Sequence, residues 1–378
     1  MAANVNAANV NTVKTVALVQ TQAENAGAQE VARQLAQGFE MRGWRTRQIF
    51  LFRRTEAFDA DRNVVYCASQ RPSSPLAVVK MLAALFQELR GEKPDVVITL
   101  QHYGNVIAVP IARMTGAPLV IANQLSPSEL VASPLRVADR LMGMAGLYDH
   151  IVVNSASTEA AYRNYPQRYS RRITRIDHGF CDKSATVTKA QARHDFGLPD
   201  DRVLLGCAAR LHPLKQLDLA IRVLTENQTQ HLALAGQGAD RQRLEALASS
   251  LGVGDRVHFL GELSTAQMGA FFAALDCFVF PSAVETFGLA PVEAAQAGIP
   301  VIVNDLEVLR DVLAVAGEPC ALFIDARDTK AFAAAVRSIL EDDTLNATLT
   351  ARGRHLAERF PLDAMIDEYL KLMEPQQA

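Results

Sequence analysis

Short apolar runs bounded by glycine, proline or polar clusters alternate along this chain with stretches whose apolar positions recur every three to four residues. That alternation predicts strands interleaved with amphipathic helices. In the first half, residues 15–19, 96–100, 119–122 and 151–154 read as buried strands, and 28–42 as a helix stopped near Gly43. In the second half, 203–208, 232–235, 257–260, 276–280 and 301–303 read as strands, with helices at 215–224, 240–251 and 289–297. Strands that are apolar throughout belong to parallel sheets covered by helices on both faces, so the expected fold class is α/β. Strand patterning lapses in the polar segment 183–200, which places a domain boundary there. One domain is expected over 1–185 and a second over 186–360, and Pro361 introduces a last amphipathic helix within 361–378.

The segment from Asp276 to Asn304 carries the densest chemistry. Two carboxylates, Glu285 and Glu293, flank the start of a helix that follows a buried strand. The loop Glu285-Thr286-Phe287-Gly288-Leu289 sits where that strand ends, the place at which α/β units bind ligands. Amides at a helix start attract anions, so a loop containing Gly288 suits phosphate or diphosphate. The two acids suit hydroxyl groups instead, because an ionised carboxylate accepts several hydrogen bonds and can grip a vicinal diol. A ligand with both diphosphate and sugar hydroxyls is a nucleotide sugar. Read alone, the same residues also fit a first-turn acid favoured by the helix dipole, Glu293, and a solvated loop acid, Glu285.

Upstream, Arg210 stands at the end of the run 203–208 and Lys215 begins the next helix. Two cations separated by a short loop can converge on one phosphate pair, the arginine as a planar fork and the lysine as a movable point charge. Taken singly they are also ordinary surface cations. Gly236 and Gly238 follow the strand 232–235 and allow a tight turn, weak information by itself. His102 ends VVITLQH and Asn123 ends LVIAN, so both polar groups close buried strands.

The stretch FVFPSAVETFGLAPVEAAQAGIPVI, with seven residues between Glu285 and Glu293, resembles the donor-site signature of the family-4 retaining glycosyltransferases. The resemblance implies the GT-B architecture: two facing Rossmann-like domains with a cleft between them and a C-terminal helix that crosses back onto the first. It also implies roles. Arg210 and Lys215 would stabilise the leaving diphosphate, and Glu285 would hold the hydroxyls of the transferred sugar. The amides of Thr286, Phe287, Gly288 and Leu289 would hold the diphosphate, and Glu293 the ribose. Gly236 and Leu263 would border the nucleotide, Gly27 would approach its phosphate, and His102 and Asn123 would face the acceptor. No metal and no cofactor is implied beyond a nucleoside diphosphate sugar as donor, with a glycan or glycolipid as acceptor. The chain departs from the family where Ala209 and Gln216 replace glycines around the two cations, where only Gly27 of two front-loop glycines is present, and where Asn123-Gln124 replaces a histidine. Similarity is good over 203–303, looser over 15–185, and weaker beyond Val303.

Charge divides unevenly. Residues 1–185 carry 21 Lys and Arg against 15 Asp and Glu, and the remainder 17 against 26. A basic front half suits an anionic acceptor or peripheral contact with an anionic membrane. The helix near 76–89, LAVVKMLAALFQEL, suits either core packing or lipid contact. No run approaches the roughly 20 apolar residues needed to cross a bilayer, and the polar start lacks a signal-peptide core, so a cytoplasmic location is expected, with or without the inner face of the membrane. Five scattered cysteines without CxxC spacing read as reduced core residues. The basic excess is too modest, and too free of interleaved aromatics, for nucleic acid.

Three other readings compete. Asp59-Ala60-Asp61 has the DxD spacing of metal-dependent glycosyltransferases of another fold, but it follows RRTEAF and not an apolar strand end. A nucleotide-sugar epimerase of the same architecture would need acid–base residues in the cleft, for which His102 is the evident candidate. A non-catalytic nucleotide-sugar binder would have no need of Arg210, Lys215, Glu285 and Glu293 together.

Overall fold

The computed structural model describes residues 13–181, 183 and 187–374, so the short polar start, part of the boundary segment and the last four residues of the expected C-terminal helix lie outside the described residues. The first sheet has seven parallel strands, β1 (Thr15–Ala23), β2 (Arg45–Arg53), β3 (Val64–Tyr66), β4 (Val96–Leu100), β5 (Leu119–Gln124), β6 (His150–Val153) and β7 (Ile173–Arg175). Their spatial order is β3-β2-β1-β4-β5-β6-β7. The connecting helices are α1 (Gly27–Met41), α2 (Pro75–Glu92), α3 (His102–Met114), α4 (Ser133–Ala145), α5 (Ala156–Tyr162) and α6 (Gln167–Ser170).

The second sheet contains β8 (Val203–Ala208), β9 (Gln230–Ala235), β10 (Val257–Gly261), β11 (Cys277–Phe280) and β12 (Val301–Asn304). A small hairpin of β13 (Ala314–Val315) and β14 (Glu318–Pro319) precedes the edge strand β15 (Leu322–Ile324), and the sheet order is β10-β9-β8-β11-β12-β15. Its helices are α7 (Lys189–Asp195), α8 (Leu217–Val223), α9 (Arg241–Ser250), α10 (Thr265–Ala274), α11 (Leu289–Gln296), α12 (Glu307–Val312), α13 (Thr329–Glu341), α14 (Asp343–Arg354) and α15 (Leu356–Arg359). The apolar strands are buried because helices cover both faces. In the first domain α2, α3 and the tyrosines Tyr148, Tyr162 and Tyr169 cover one face, and α1 covers the other.

The final helix, α16 (Leu362–Met373), belongs to the first domain by packing. Met365, Ile366, Tyr369 and Met373 join Val16, Leu18 and Phe39 in one core. Arg42, the residue after α1, bridges Asp363 at 3.1 Å and Asp367 at 2.8 Å. Gly38 lets α16 lie close, since a Cβ there would stand 2.0 Å from Ile366 Cδ1.

Both sheets have a topological switch point, where successive connections leave in opposite directions and a crevice opens at the strands' carboxyl ends. In the first it lies between β1 and β4, and in the second between β8 and β11. The loops after these four strands face each other, which determines the residues that line the cleft.

Candidate active site

The loops from the two switch points enclose a cleft of about 700 Å³. From the second domain it is lined by Arg210, Lys215, Gly236, Leu263 and the segment Glu285-Thr286-Phe287-Gly288-Leu289 with Glu293, and from the first by Gly27. Each of these residues had been singled out in the sequence.

Gly288 takes φ +90°, the left-handed conformation that favours glycine, and so turns the chain from the loop into α11. The first i to i−4 bond of α11 runs from Val292 N–H to Gly288 O. Pro291 has no N–H, so Gly288, Leu289 and Ala290 supply the unsatisfied donors of the first turn. Gly236 answers a different demand. A Cβ there would lie 2.0 Å from Ala209 O, so the loop after β9 passes close beneath the loop after β8 only as glycine.

The expectation that Lys215 begins a helix is corrected. Residues Pro213–Lys215 form a 3₁₀ turn, Gln216 takes φ +48°, and α8 starts at Leu217. The left-handed residue breaks the helix and turns Lys215 toward the cleft. There its Nζ lies 2.6 Å from Glu285 Oε1 and 5.5 Å from the centre of the Phe280 ring. Gln216 thus adopts the conformation that the family's usual glycine would adopt more easily.

The second cation is paired across the cleft. Glu24, at the end of β1, is mostly buried. It lies 3.6 Å from Arg210 Nη1 and 3.0 Å from Arg54 Nη1. Glu293 is buried and salt-bridged to Lys183, which also lies 3.8 Å from Glu30 on α1. Burial pushes the Glu293 carboxyl up, while the Lys183 ammonium opposes that shift. Further contacts tie the domains together. Asn25 N–H donates to Glu262 at 2.8 Å, and Ser155 Oγ–H donates to Thr286 O at 3.0 Å.

Two expectations for the acceptor side are corrected. Asn123 does not line the cleft. Its amide donates to Thr99 O at 3.2 Å, and its Oδ1 accepts from the Tyr369 hydroxyl. The strand runs on to Gln124, and with a period of two Asn123 shares the face of Ile121 and Leu125, beneath α16. His102 opens α3 instead of ending β4, and it does not line the cleft either; burial pushes its imidazole down to about 4. The residue at the strand end is Gln101, held at φ +70° and facing the cleft from the β4 side of the switch point. Its strain had no sequence signal.

Other missed residues are Glu24, Arg54, Lys183, Asn154 and His178. His178 Nε2 lies 3.1 Å from Asn154 Nδ2, and its ring centre lies 5.0 Å from that of Phe287. Enclosure pushes this imidazole down to about 4, which keeps it neutral and able to accept from the amide. A depressed histidine takes up its proton in the unfolded chain first. Stability should therefore fall as pH drops from about 6.5 to about 4, by about 3 kcal/mol for this group. Thermal midpoints measured across that window should drop, and His178→Gln should flatten the slope. An unchanged slope in the variant would show that another group controls it.

Asp59 and Asp61, the rival metal pair, are occupied otherwise. Asp59 bonds Arg53 at 3.0 Å and the Tyr66 hydroxyl at 2.9 Å, and Asp61 lies 3.8 Å from Arg33. Among the described residues no group of three or more His, Cys, Asp or Glu side chains is placed to hold a metal ion, and no helix is long and apolar enough to cross a membrane.

Residues 188–356 match the family model for glycosyl transferases group 1, and residues 26–177 match that for a glycosyl transferase 4-like domain. The chain belongs to the family-4 glycosyltransferases of GT-B fold. A D-inositol 3-phosphate glycosyltransferase of Stackebrandtia nassauensis is 34% identical over 195 residues, 48% of this chain and 44% of the relative. The lipopolysaccharide core biosynthesis glycosyltransferase LpsD of Rhizobium meliloti is 34% identical over 184 residues, 48% of this chain and 52% of its own. The match thus spans about half the length of these curated relatives. The GT-B fold extends further than the sequence likeness. Anabaena Alr3699/HepE, solved in complex with UDP and glucose, superposes with a TM-score of 0.80 at 18% identity, over 94% of this chain and 98% of that one. WaaG, a glycosyltransferase involved in lipopolysaccharide biosynthesis, gives 0.74 at 18% identity over 95% and 99%. In this GT-B chain Glu285, Glu293 and the two cations share one cleft, which the isolated motifs could not establish.

Proposed function

We propose that this protein is a retaining, metal-independent glycosyltransferase that moves a sugar from a nucleoside diphosphate sugar to a hydroxyl of a glycan or lipid-linked saccharide. The observation that supports it is the meeting, at one cleft, of two cations, two carboxylates and the open first turn of α11. The cations pair with the protein's own carboxylates, Lys215 with Glu285 and Arg210 with Glu24. A donor diphosphate would take over both cations together with the amides of Gly288, Leu289 and Ala290. Charge that develops on the leaving phosphate then meets preorganised positive groups. Glu285, released from Lys215, would hold the sugar hydroxyls so that the acceptor oxygen approaches the face from which the diphosphate departs. Glu293 would take the ribose. HepE has been solved with UDP and UDP-glucose, ligands of the same chemical class as this donor.

Turnover of a panel of UDP-, GDP- and ADP-sugars, with and without saccharide acceptors, tests the reading. A donor consumed only when acceptor is present, with the anomeric configuration kept, is the expected result. Isomerised donor would point to an epimerase, and binding without turnover to a sensor. EDTA should leave the rate largely intact. Loss of activity restored by Mg²⁺ or Mn²⁺ would show that protein cations do not suffice.

A further inference from the structure

Lys183 and Glu293 pair in the lining of the cleft, and each side chain is only 7% exposed. A buried ion pair adds little stability by itself, because taking both charges out of water offsets most of their attraction. The two residues also come from different parts of the chain. Glu293 is the fifth residue of α11 in the donor domain, and Lys183 belongs to the segment that joins the domains. The same ammonium lies 3.8 Å from Glu30 on α1, so it stands between one acid from each domain.

The two acids do not depend on it equally. Glu30 has Arg33 at 3.0 Å and accepts from the Thr265 hydroxyl at 2.9 Å, so it stays compensated without the lysine. Glu293 has Lys183 alone. Among the described residues no other cation or hydrogen-bond donor bonds its carboxylate, and Lys183 takes only Oε1. An ionised carboxylate offers about four acceptor positions, so this one keeps most of its capacity on a side chain that lines the cleft. Protonation would turn one of its oxygens into a donor and spoil the grip on a vicinal diol. Burial favours that protonated form and Glu30 adds to the effect, while the Lys183 ammonium opposes both. α11 packs against α14, α15, β11 and β12, and among the described residues none of these brings a charged side chain that bonds Glu293. The Cys181 thiol is a further titratable neighbour, and burial pushes it up, so it keeps its proton in the neutral range.

We propose that Lys183 is a positioning residue of the donor site: it clamps one oxygen of Glu293 as a charged acceptor and leaves the other to the ribose hydroxyls. The inference rests on the assignment of Glu293 to the ribose. Lys183 acts through Glu293, and nucleotide binding therefore depends on it only as long as that carboxylate and those hydroxyls are present. An ammonium that reached the diphosphate directly would matter whatever stood at position 293.

Calorimetric affinity for the tightest-binding of UDP, GDP and ADP, measured from pH 7 to pH 9, tests it. The terminal phosphate titrates at about 6, so its charge is nearly constant across this window. Wild-type affinity should vary less than twofold. In Lys183→Met the carboxyl loses its cation, and a buried carboxyl without one titrates at up to about 8–9. Its ionised fraction at pH 7 is then about 1–10%, so affinity should fall about ten- to a hundredfold there and return as pH rises to 9. Lys183→Arg keeps the charge and should restore the wild-type profile to within about threefold. The 2′,3′-dideoxy form of the same nucleotide should bind wild type and Lys183→Met equally at pH 7. Lys183→Met combined with Glu293→Gln strands no charge, which keeps the test decisive where the single variant fails to fold. This double variant should bind as tightly as Glu293→Gln alone. Wild-type affinity in Lys183→Met, or a loss that does not change with pH, would overturn the proposal. A double variant tenfold weaker than Glu293→Gln would overturn it in favour of direct contact with the diphosphate. Wild-type protein that bound none of the three nucleotides would refute the donor reading itself, and this inference with it.

Discussion

Arg210→Ala or Lys215→Ala is expected to lower the rate of glycosyl transfer about a hundredfold or more while the protein stays folded. Each removes a charge-assisted contact to a leaving diphosphate, and one lost donor of that kind costs about 2.7–4 kcal/mol of transition-state stabilisation. Folding should survive because both side chains are partly exposed at the loop after β8, outside the core. The resting pairs sharpen the expectation. Without Arg210, Glu24 keeps Arg54 at 3.0 Å and is not stranded. Without Lys215, Glu285 loses its 2.6 Å partner and stands as an uncompensated acid beside the incoming diphosphate, so this variant should be the more severe in donor affinity. Steady-state kinetics with saturating acceptor would measure both. Wild-type turnover from a correctly folded double variant would dismiss the diphosphate site.

Glu285→Gln and Glu293→Gln should part company. Glu285 is assigned to the sugar alone, so its variant should lose transfer far more than it loses affinity for free nucleoside diphosphate. Glu293 is assigned to the ribose, present in donor and product alike, and its variant should weaken both. A buried hydroxyl that loses a charged acceptor costs about 1.5–3 kcal/mol, or roughly ten- to more than a hundredfold in affinity. Calorimetry with nucleoside diphosphate and with intact donor resolves the division, and the reverse pattern would exchange the two roles. Glu293→Gln also removes the ionised partner of buried Lys183, leaving Glu30 at 3.8 Å, so a lowered thermal midpoint should accompany it and not Glu285→Gln.

The sequence alone determined the parts of this protein that depend on local chemistry. Apolar runs with no alternation could only be strands covered on both faces, and they predicted two parallel sheets. Gly288 before an eight-residue helix, with acids on either side, predicted a loop that leads into an open helix start, because a helix start exposes its amides wherever it lies. Arg210, at the end of β8, was legible for the same reason. The tertiary structure decided everything that depends on register and on distant neighbours. Asn123 and Gln124 are adjacent in sequence, yet the period of two sends Asn123 beneath α16 and leaves it outside the cleft, while the choice of switch point brings Gln101 into it. Glu24 and Lys183 carried no signal, since a lone acid and a lone lysine gain meaning only from Arg210 and Glu293, 186 and 110 positions away in the chain. Which side of α2 packs was hidden as well. An apolar helix reads the same whether its surplus side chains enter a core or face outward, and only the packing of Met81, Leu85 and Leu89 against the sheet shows which positions of α2 remain outside.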